Sequence, residues 1–468
     1  MRRFLWLLVV GLLFSPRAAV RAADLPQQAE AALARGVTFF HQQVAAHGGY
    51  VYLYSADLTK QEGEGRTTRE QAWVQPPGTP AVGEALLQAY LRTGSQEALI
   101  AAKDAAECLL QGQYRSGGWN ASVEFEPAER AKHAYRVDRP LPKKRQRNTS
   151  SLDDDKTQSA LRFLMQLDRA LQFQEARIHD ATLFALDSLL AAQFPNGAWA
   201  QVWEAPADLT RPDSLKASYP QDWPRKYPGG DYWLFYTFND NNISQTVDTL
   251  RLADEIYGGD RYRAAIDKAG QFILDAQMPE PQPAWAQQYN FEMHPVWARK
   301  FEPPAISGSE SQRLIETLLD LYVASGKRPF LEAVPPALAY LRRSQLPDGR
   351  LARFYELQTN KPLYMNTQYE LTYSDSDLPT HYGFQVGSSL DRLQKRYDSV
   401  SRLSAADLEK LRQPRSPSPP RASTLEARVR EIIAAQDDRG AWVEDGPLKY
   451  HGKGDPTRRV ISSQTFAR

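Results

Sequence analysis

Three short polar clusters hold the residues best suited to chemistry. Ser151-Leu-Asp-Asp-Asp-Lys-Thr157 precedes one apolar helical stretch, Phe238-Asn-Asp-Asn-Asn242 precedes a second, and Arg299-Lys-Phe-Glu-Pro-Pro-Ala-Ile-Ser-Gly-Ser-Glu310 precedes a third. Acidic and small polar residues before a helix serve as caps and complement its dipole, so Ser151 with Asp154, and Asp240, have a structural reading. A cap needs only one or two acceptors. Three consecutive carboxylates at Asp153 to Asp155 repel one another, and that repulsion is relieved by a hard cation that takes oxygen ligands. Asp153, Asp154 and Asp240 are therefore candidate metal ligands, with Ca2+ the matching ion. The linear spacing is not that of a calcium-binding helix–loop–helix. The seven histidines are scattered without a His-x-x-x-His pair, and Cys108 is the only cysteine, so neither a zinc site nor a disulfide is expected.

The elements that must position these clusters are helices. Leu86, Leu87, Tyr90 and Leu91 fall on one helical face, as do Leu164, Leu167 and Leu171, and Ala181 to Ala192 also reads as helix. A glutamine, a glycine turn and an aromatic follow such helices repeatedly. The series runs Gln113 to Trp119, Gln193 to Trp199, a looser Gln277 to Trp285, Gln345 to Leu351 and Gln436 to Trp442, with His47-Gly-Gly-Tyr50 opening it. Each unit holds about two helices that cannot bury their apolar faces alone and must pack on neighbouring pairs. The expected fold is all-α, an α/α toroid or incomplete α/α barrel, with short β-hairpin turns at one face. If inner and outer helices alternate and run antiparallel, every glycine turn and every inner-helix start lies at the same mouth. All three polar clusters then face one groove.

Composition sets the rest. The chain has 468 residues, 42% hydrophobic and 24% charged, ordinary for a globular protein and far from disorder. Arg2 and Arg3, the apolar run Phe4 to Phe14, and small residues Val20 and Ala22 read as a secretory signal over 1–22, with the mature protein secreted or periplasmic and no longer tied to a membrane. Its removal takes away four arginines and brings the formal charge from +1 to below zero. No global basic excess remains for nucleic acid. The expected organisation is a catalytic toroid over 23–412, a Pro/Ser-rich linker at 413–422 and a helical repeat over 423–468 that packs on the toroid, in a monomer. Arg139 to Lys144 forms a basic loop, and Pro206 to Gly230 a long loop rich in Pro, Asp, Trp and Tyr.

The motifs resemble those of the family 10 polysaccharide lyases, pectate lyases on an α/α toroid. Asp153-Asp154 matches an Asp-Asn motif before a helix, Asn196 to Gln201 a Gly-Gly-Trp-Pro-Gln-Phe segment, and Thr237 to Asp240 a Thr-Phe-Asn-Asp motif. Ala298 to Ser311 matches an Ala-Arg-x-Tyr/Phe-Glu-Pro block that ends in Ser-Gly-Ser-Glu-Ser, and Pro347 to Tyr355 matches Pro-Asp-Gly-Arg-x-Ala-Arg-Phe-Tyr. The resemblance implies calcium-assisted β-elimination on an acidic plant polysaccharide such as polygalacturonate. It implies Arg299 as the base that takes the C5 proton, Asp153 at the calcium and substrate, and Arg353 on a substrate carboxylate, a role for which the guanidinium fork is well shaped. Arg350 and Lys156 are helpers in this scheme, and Trp199, Trp285 and Gln201 candidate cleft residues. Where the family has Asp-Asn, this chain has Asp153-Asp154-Asp155, extra negative charge that is unfavourable beside a polyanion unless a metal offsets it. Two other readings fit the same residues. One is a glycoside hydrolase with Asp153 and Asp240 as its carboxylate pair. The other is a polysaccharide-binding relative without turnover.

Overall fold

The computed structural model describes residues 24–141, 145–412 and 422–468. The apolar leader at 1–22, part of the basic loop at 142–144 and nearly all of the linker at 413–422 lie outside the described residues. Helices carry the architecture. The main ones are α1 (Leu25–Phe39), α2 (Thr79–Thr93), α3 (Gln96–Gly112), α4 (Lys156–Ala170), α5 (Ala176–Ala191), α6 (Asn242–Tyr257), α7 (Asp260–Asp275), α8 (Glu310–Ser325), α9 (Val334–Arg343), α10 (Leu390–Ser401), α11 (Ala422–Ala434) and the short α12 (Ser463–Ala467). Among the described residues, α2, α4, α6, α8 and α10 pack side by side in that order, and α12 lies against α2. Around them, α3 backs onto α2 and α4, α5 onto α4, α7 onto α6 and α8, and α9 onto α8 and α10. Inner and outer helices thus alternate, which is the α/α toroid. The inner faces supply the core, with Leu86, Leu87, Leu161, Leu164, Leu250, Leu314 and Leu318 all fully buried. Leu91, on the same face by periodicity, is exposed in the last turn of α2 before Gly94 ends the helix.

The repeated glutamines hold the units together. Gln193 Nε2 donates both to Gly197 O of its own turn at 3.0 Å and to Ala265 O of the next outer helix at 2.9 Å. Gln113 does the same toward Gly117 and Ala181, and Gln277 toward Pro283 and Ala333. Gln436 reaches Gly440 O and Ala32 O of α1, which ties the last outer helix to the first. Strand Arg459–Ser462 pairs antiparallel with Leu53–Ser55 and makes the same junction on the inside. Gly197 shows why the turn needs glycine. Its φ is +92°, and a Cβ there would stand 2.1 Å from Lys268 O of α7. In the fifth unit the pattern lapses. Gln345 bonds Gly349 O and the Ser388 hydroxyl but no outer helix, and Gly349 faces no neighbour within 4 Å among the described residues. Among the described residues the outer ring is open after α9, which is the incomplete barrel.

The small strands include the expected hairpins, Leu53–Ser55 with Gln61–Glu62 and Phe354–Glu356 with Pro362–Met365. Most join successive units rather than adjacent segments: Gln71–Trp73 pairs with Ser122–Glu124, Ser150–Ser151 with Val202–Trp203, and Tyr236–Thr237 with Gln288–Tyr289. The backbone before each inner helix is extended, so it finds its hydrogen-bonding partner in the segment that follows the next glycine turn. A larger antiparallel sheet contains Ala305–Ser307, Phe354–Glu356, Pro362–Met365 and Leu371–Thr372.

Candidate active site

The starts of α4, α6 and α8 meet at one mouth, as the alternation of inner and outer helices requires. Two of these starts have the same unusual backbone. Asp154 and Asp155 are left-handed (φ 48° and 63°), and so are Asp240 and Asn241 (φ 50° and 60°). The left-handed region costs most L-residues about 1–2 kcal/mol each, and Asp and Asn the least, which is why these turns are built from them. The shared turn gives Asp154 and Asp240 equivalent places in successive units. Their carboxylates meet that of Asp153, and one oxygen from each lies within 4.8 Å of the others.

Each neighbour of this cluster has a definable effect. Lys156 Nζ donates to Asp153 Oδ2 at 2.7 Å and stands 3.8 Å from Asp154 Oδ2. Gln201 Nε2 donates to Asp153 Oδ1 at 2.5 Å. Gln75 Nε2 bridges Glu64 Oε1 at 2.9 Å and Asp154 Oδ2 at 3.3 Å, so the first unit also reaches the cluster. Burial raises the Asp154 carboxyl above its ordinary range, and the Asp153 charge adds to the effect. Asp240 is held well above the usual carboxylate range by burial first and then by the charges of Asp154 and Asp153, with Arg299 opposing. Asp155 faces elsewhere. Its Oδ2 accepts from Arg162 Nη2 of α4 at 2.5 Å, so the Asp155 charge is offset, while Asp154, where the matched motif has Asn, stays in the cluster.

Arg299 Nη2 lies 3.8 Å from Asp240 Oδ2. The same guanidinium is forked onto Glu302, Nε to Oε2 at 2.8 Å and Nη2 to Oε1 at 2.5 Å. Burial alone would lower its pKa, but the Glu302 bonds and charge overcome this and push the group above the ordinary guanidinium range. Its Nη1 has no bond among the described residues. Tyr382 donates to Glu302 Oε1 at 2.8 Å and lies beneath both Arg299 and Arg353, with ring centroids 5.7 Å and 4.7 Å from the two guanidinium carbons. Arg353 donates through Nε to Gly383 O at 2.6 Å and stands 4.0 Å from buried Glu310.

Asp153, Asp154, Asp240, Arg299, Lys156 and Gln201 therefore converge on one region, with Arg353 joined to it through Tyr382. Lys156 and Gln201 touch Asp153, and the Lys156 side chain is only 8% exposed. Three expected residues fall elsewhere. Trp199 is 1% exposed, and its indole N–H donates to Leu189 O at 2.9 Å, so its ring packs in the core and offers no face to a sugar. Trp285 is buried likewise, bonded to Ile273 O. Arg350 closes on Asp348 at 2.6 Å beside its own turn and has no contact with the acidic cluster among the described residues.

Glu64, Gln75, Glu302 and Tyr382 belong to the constellation, although nothing in the sequence reading singled them out as functional. Glu302 carried a signal, because it lies three residues after Arg299 in the matched block. Tyr232 and Trp233 are further members. The Trp233 carbonyl accepts the Gln201 N–H at 3.1 Å, which sets an indole that is 38% exposed at the rim of the cluster.

Residues 129–352 match a family model described as pectic acid lyase, and this window contains every cluster residue from Asp153 to Glu310. No curated protein matches the chain. Among solved structures, a family 10 polysaccharide lyase from Cellvibrio cellulosa, in a variant complexed with trigalacturonic acid, shares 19% identity over 69% of this chain and 98% of its own, with a TM-score of 0.47. A cellobiose 2-epimerase from Spirochaeta thermophila shares 16% over 74% and 78%, with a TM-score of 0.41. The resemblance to the pectic acid lyases thus stands over residues 129–352, just under half of the chain, and the enzyme class it carries is that of the polysaccharide lyases.

Proposed function

We propose that the protein cleaves polygalacturonate, or a closely related polyuronide, by calcium-assisted β-elimination. One observation carries this reading. Three carboxylates from two units converge within 4.8 Å, and a guanidinium stands 3.8 Å from one of them. The donor set is oxygen only and carboxylate-rich, which fits a hard divalent cation and no soft one. Asp153, Asp154 and Asp240 would hold that ion. Bound there, Ca2+ supplies the positive charge that neutralises a uronate carboxylate and so acidifies the adjacent C5 proton.

The remaining roles fall to the chain's own side chains. Glu302 fixes the plane of Arg299 through Nε and Nη2 and leaves Nη1 without a bond among the described residues, and in this reading Nη1 receives the C5 proton. Glu302 makes the guanidine a stronger base but keeps its unprotonated form scarce at neutral pH. Arg353, held over Tyr382, takes a substrate carboxylate. Lys156 and Gln201 orient Asp153. The catalytic unit is read as 23–412, with 423–468 as a repeat packed on it and 1–22 as an export signal. No described helix is long and apolar enough to cross a membrane.

The hydrolase reading fits less well. Glycosidase carboxyl pairs stand at least ~5 Å apart so that the sugar bond, and often a water, fits between them. Asp153 and Asp240 have oxygens closer than that and share the space with Asp154. The test is to incubate the purified protein with polygalacturonate, with and without a chelator, and follow absorbance from the unsaturated uronide. Calcium-dependent absorbance that is lost in Arg299→Ala, with helical content unchanged, is the expected result. New reducing ends without absorbance would establish hydrolysis and refute elimination.

A further inference from the structure

A second polar cavity of about 720 Å³ lies away from the acidic cluster, within the size range of saccharide sites. Its wall includes Glu124, Lys132, Arg145, Arg147, Thr149 and Glu204. Lys132 is paired with Glu129 at 2.6 Å, so those two charges cancel. Arg145 and Arg147 have no carboxylate partner among the described residues. Glu124 is already held by neutral donors, Gln71 Nε2 at 3.1 Å and Ser122 Oγ at 2.8 Å, and Glu204 accepts from the Thr149 hydroxyl. The cavity therefore offers two uncommitted guanidiniums beside carboxylates that retain acceptor capacity. A uronate unit needs both, cations for its carboxylate and acceptors for its hydroxyls.

The position of the cavity links it to the groove. Ser150–Ser151 pairs with Val202–Trp203, and this two-stranded ribbon has Asp153 and Gln201 in contact at one end. Thr149 and Glu204 are in contact at the other end, where they line the cavity. Only Ser150, Ser151 and Leu152 separate Thr149 from Asp153, so the two lie at most about 13 Å apart. A polysaccharide that runs along the ribbon from the cluster reaches the cavity within a few sugar units.

We propose that this cavity is a distal subsite for a uronate unit of the same polymer, with Arg145 and Arg147 gripping its carboxylate. The proposal rests on the polyuronide reading above. Both arginines are exposed, so Arg145→Gln/Arg147→Gln leaves the core untouched. The experiment compares tri- and octagalacturonate with the wild-type protein and the double variant. The octamer-to-trimer ratio of kcat/KM should fall about tenfold in the variant, through KM, as one charge-assisted contact is lost. Arg147→Lys should recover part of the ratio. Octamer binding, measured by calorimetry in an Arg299→Ala background, should weaken equally. A ratio equal to wild type, or octamer binding unaffected by the double substitution, overturns the subsite while leaving the lyase reading intact. If the wild-type protein neither turns over nor binds either oligomer, both proposals fall together.

Discussion

Replacement of Asp240 by asparagine should stabilise the protein in chelator and destabilise it, relative to wild type, in calcium. The side chain keeps its shape, and only the charge is lost. At an effective dielectric constant of 20, two unit charges 4.8 Å apart repel by about 3.5 kcal/mol, and Asp240 faces two of them, Asp153 and Asp154. Arg299, 3.8 Å away, returns about 4 kcal/mol of attraction on the same scale. Lys156 at 2.7 Å already neutralises much of Asp153, which reduces one of the repulsions. The burial cost of the carboxylate remains and decides the sign, which leaves a net gain of about 1–2 kcal/mol for the metal-free variant. In calcium the order inverts. A ligand at a hundredfold excess over its Kd stabilises by about 2.7 kcal/mol, and the variant forfeits most of this with a ligand missing. The assay is thermal unfolding of both proteins in EDTA and in millimolar CaCl2. The two pairs of melting curves should cross over. A variant less stable than wild type in EDTA, or one that gains as much from calcium, would show that Asp240 is not a ligand held in a repulsive cluster.

Arg299 as base predicts a pH dependence with a definite sign. Glu302 holds the guanidinium pKa above its ordinary range, so the unprotonated fraction grows about tenfold per pH unit, and kcat/KM at saturating calcium should climb without a plateau between about pH 7 and 10. Arg299→Lys, with its lower intrinsic pKa, should keep some activity and level off at lower pH; a plateau near neutral pH in the wild-type protein would rule out arginine as the base. Trp233→Ala should raise KM for polygalacturonate about fivefold with kcat nearly unchanged, the loss of about 1 kcal/mol of stacking at the groove rim, and an unchanged KM would remove the indole from the binding surface. Gln193→Ala, which breaks one hydrogen bond within its turn and one to the next unit, should lower stability by about 1–3 kcal/mol in chemical denaturation, whereas Gln345→Ala beside the open seam should cost under about 1 kcal/mol. Equal losses at the two positions would contradict the role assigned to the glutamine.

The glutamine turns were legible in the sequence because those at Gln113, Gln193 and Gln436 meet the same physical demand. A helix ends, its turn needs a positive φ, and one amide satisfies a carbonyl in its own unit and another in the next. Repetition of that demand revealed both the helix pairs and the common mouth. The tryptophan that follows each turn carries the same kind of information, and its misreading at Trp199 is instructive. Trp119, Trp199 and Trp442 each donate to a carbonyl ten residues back in the preceding helix, a spacing that marks packing rather than sugar binding. The fork of Arg299 on Glu302 was within reach at a separation of three residues. Its support from Tyr382 was not, because that contact spans 80 residues and depends on where a late loop folds back. The site itself arises where units differ rather than where they agree. The turns before α4 and α6 share their left-handed backbone, yet one carries Asp153 and Lys156 where the other carries Asn239 and Asn242. The repeat therefore fixes where acidic groups can meet, and its departures decide which positions there are charged. A reading tuned to periodicity finds the mouth first, and the chemistry emerges only when the copies are compared residue by residue.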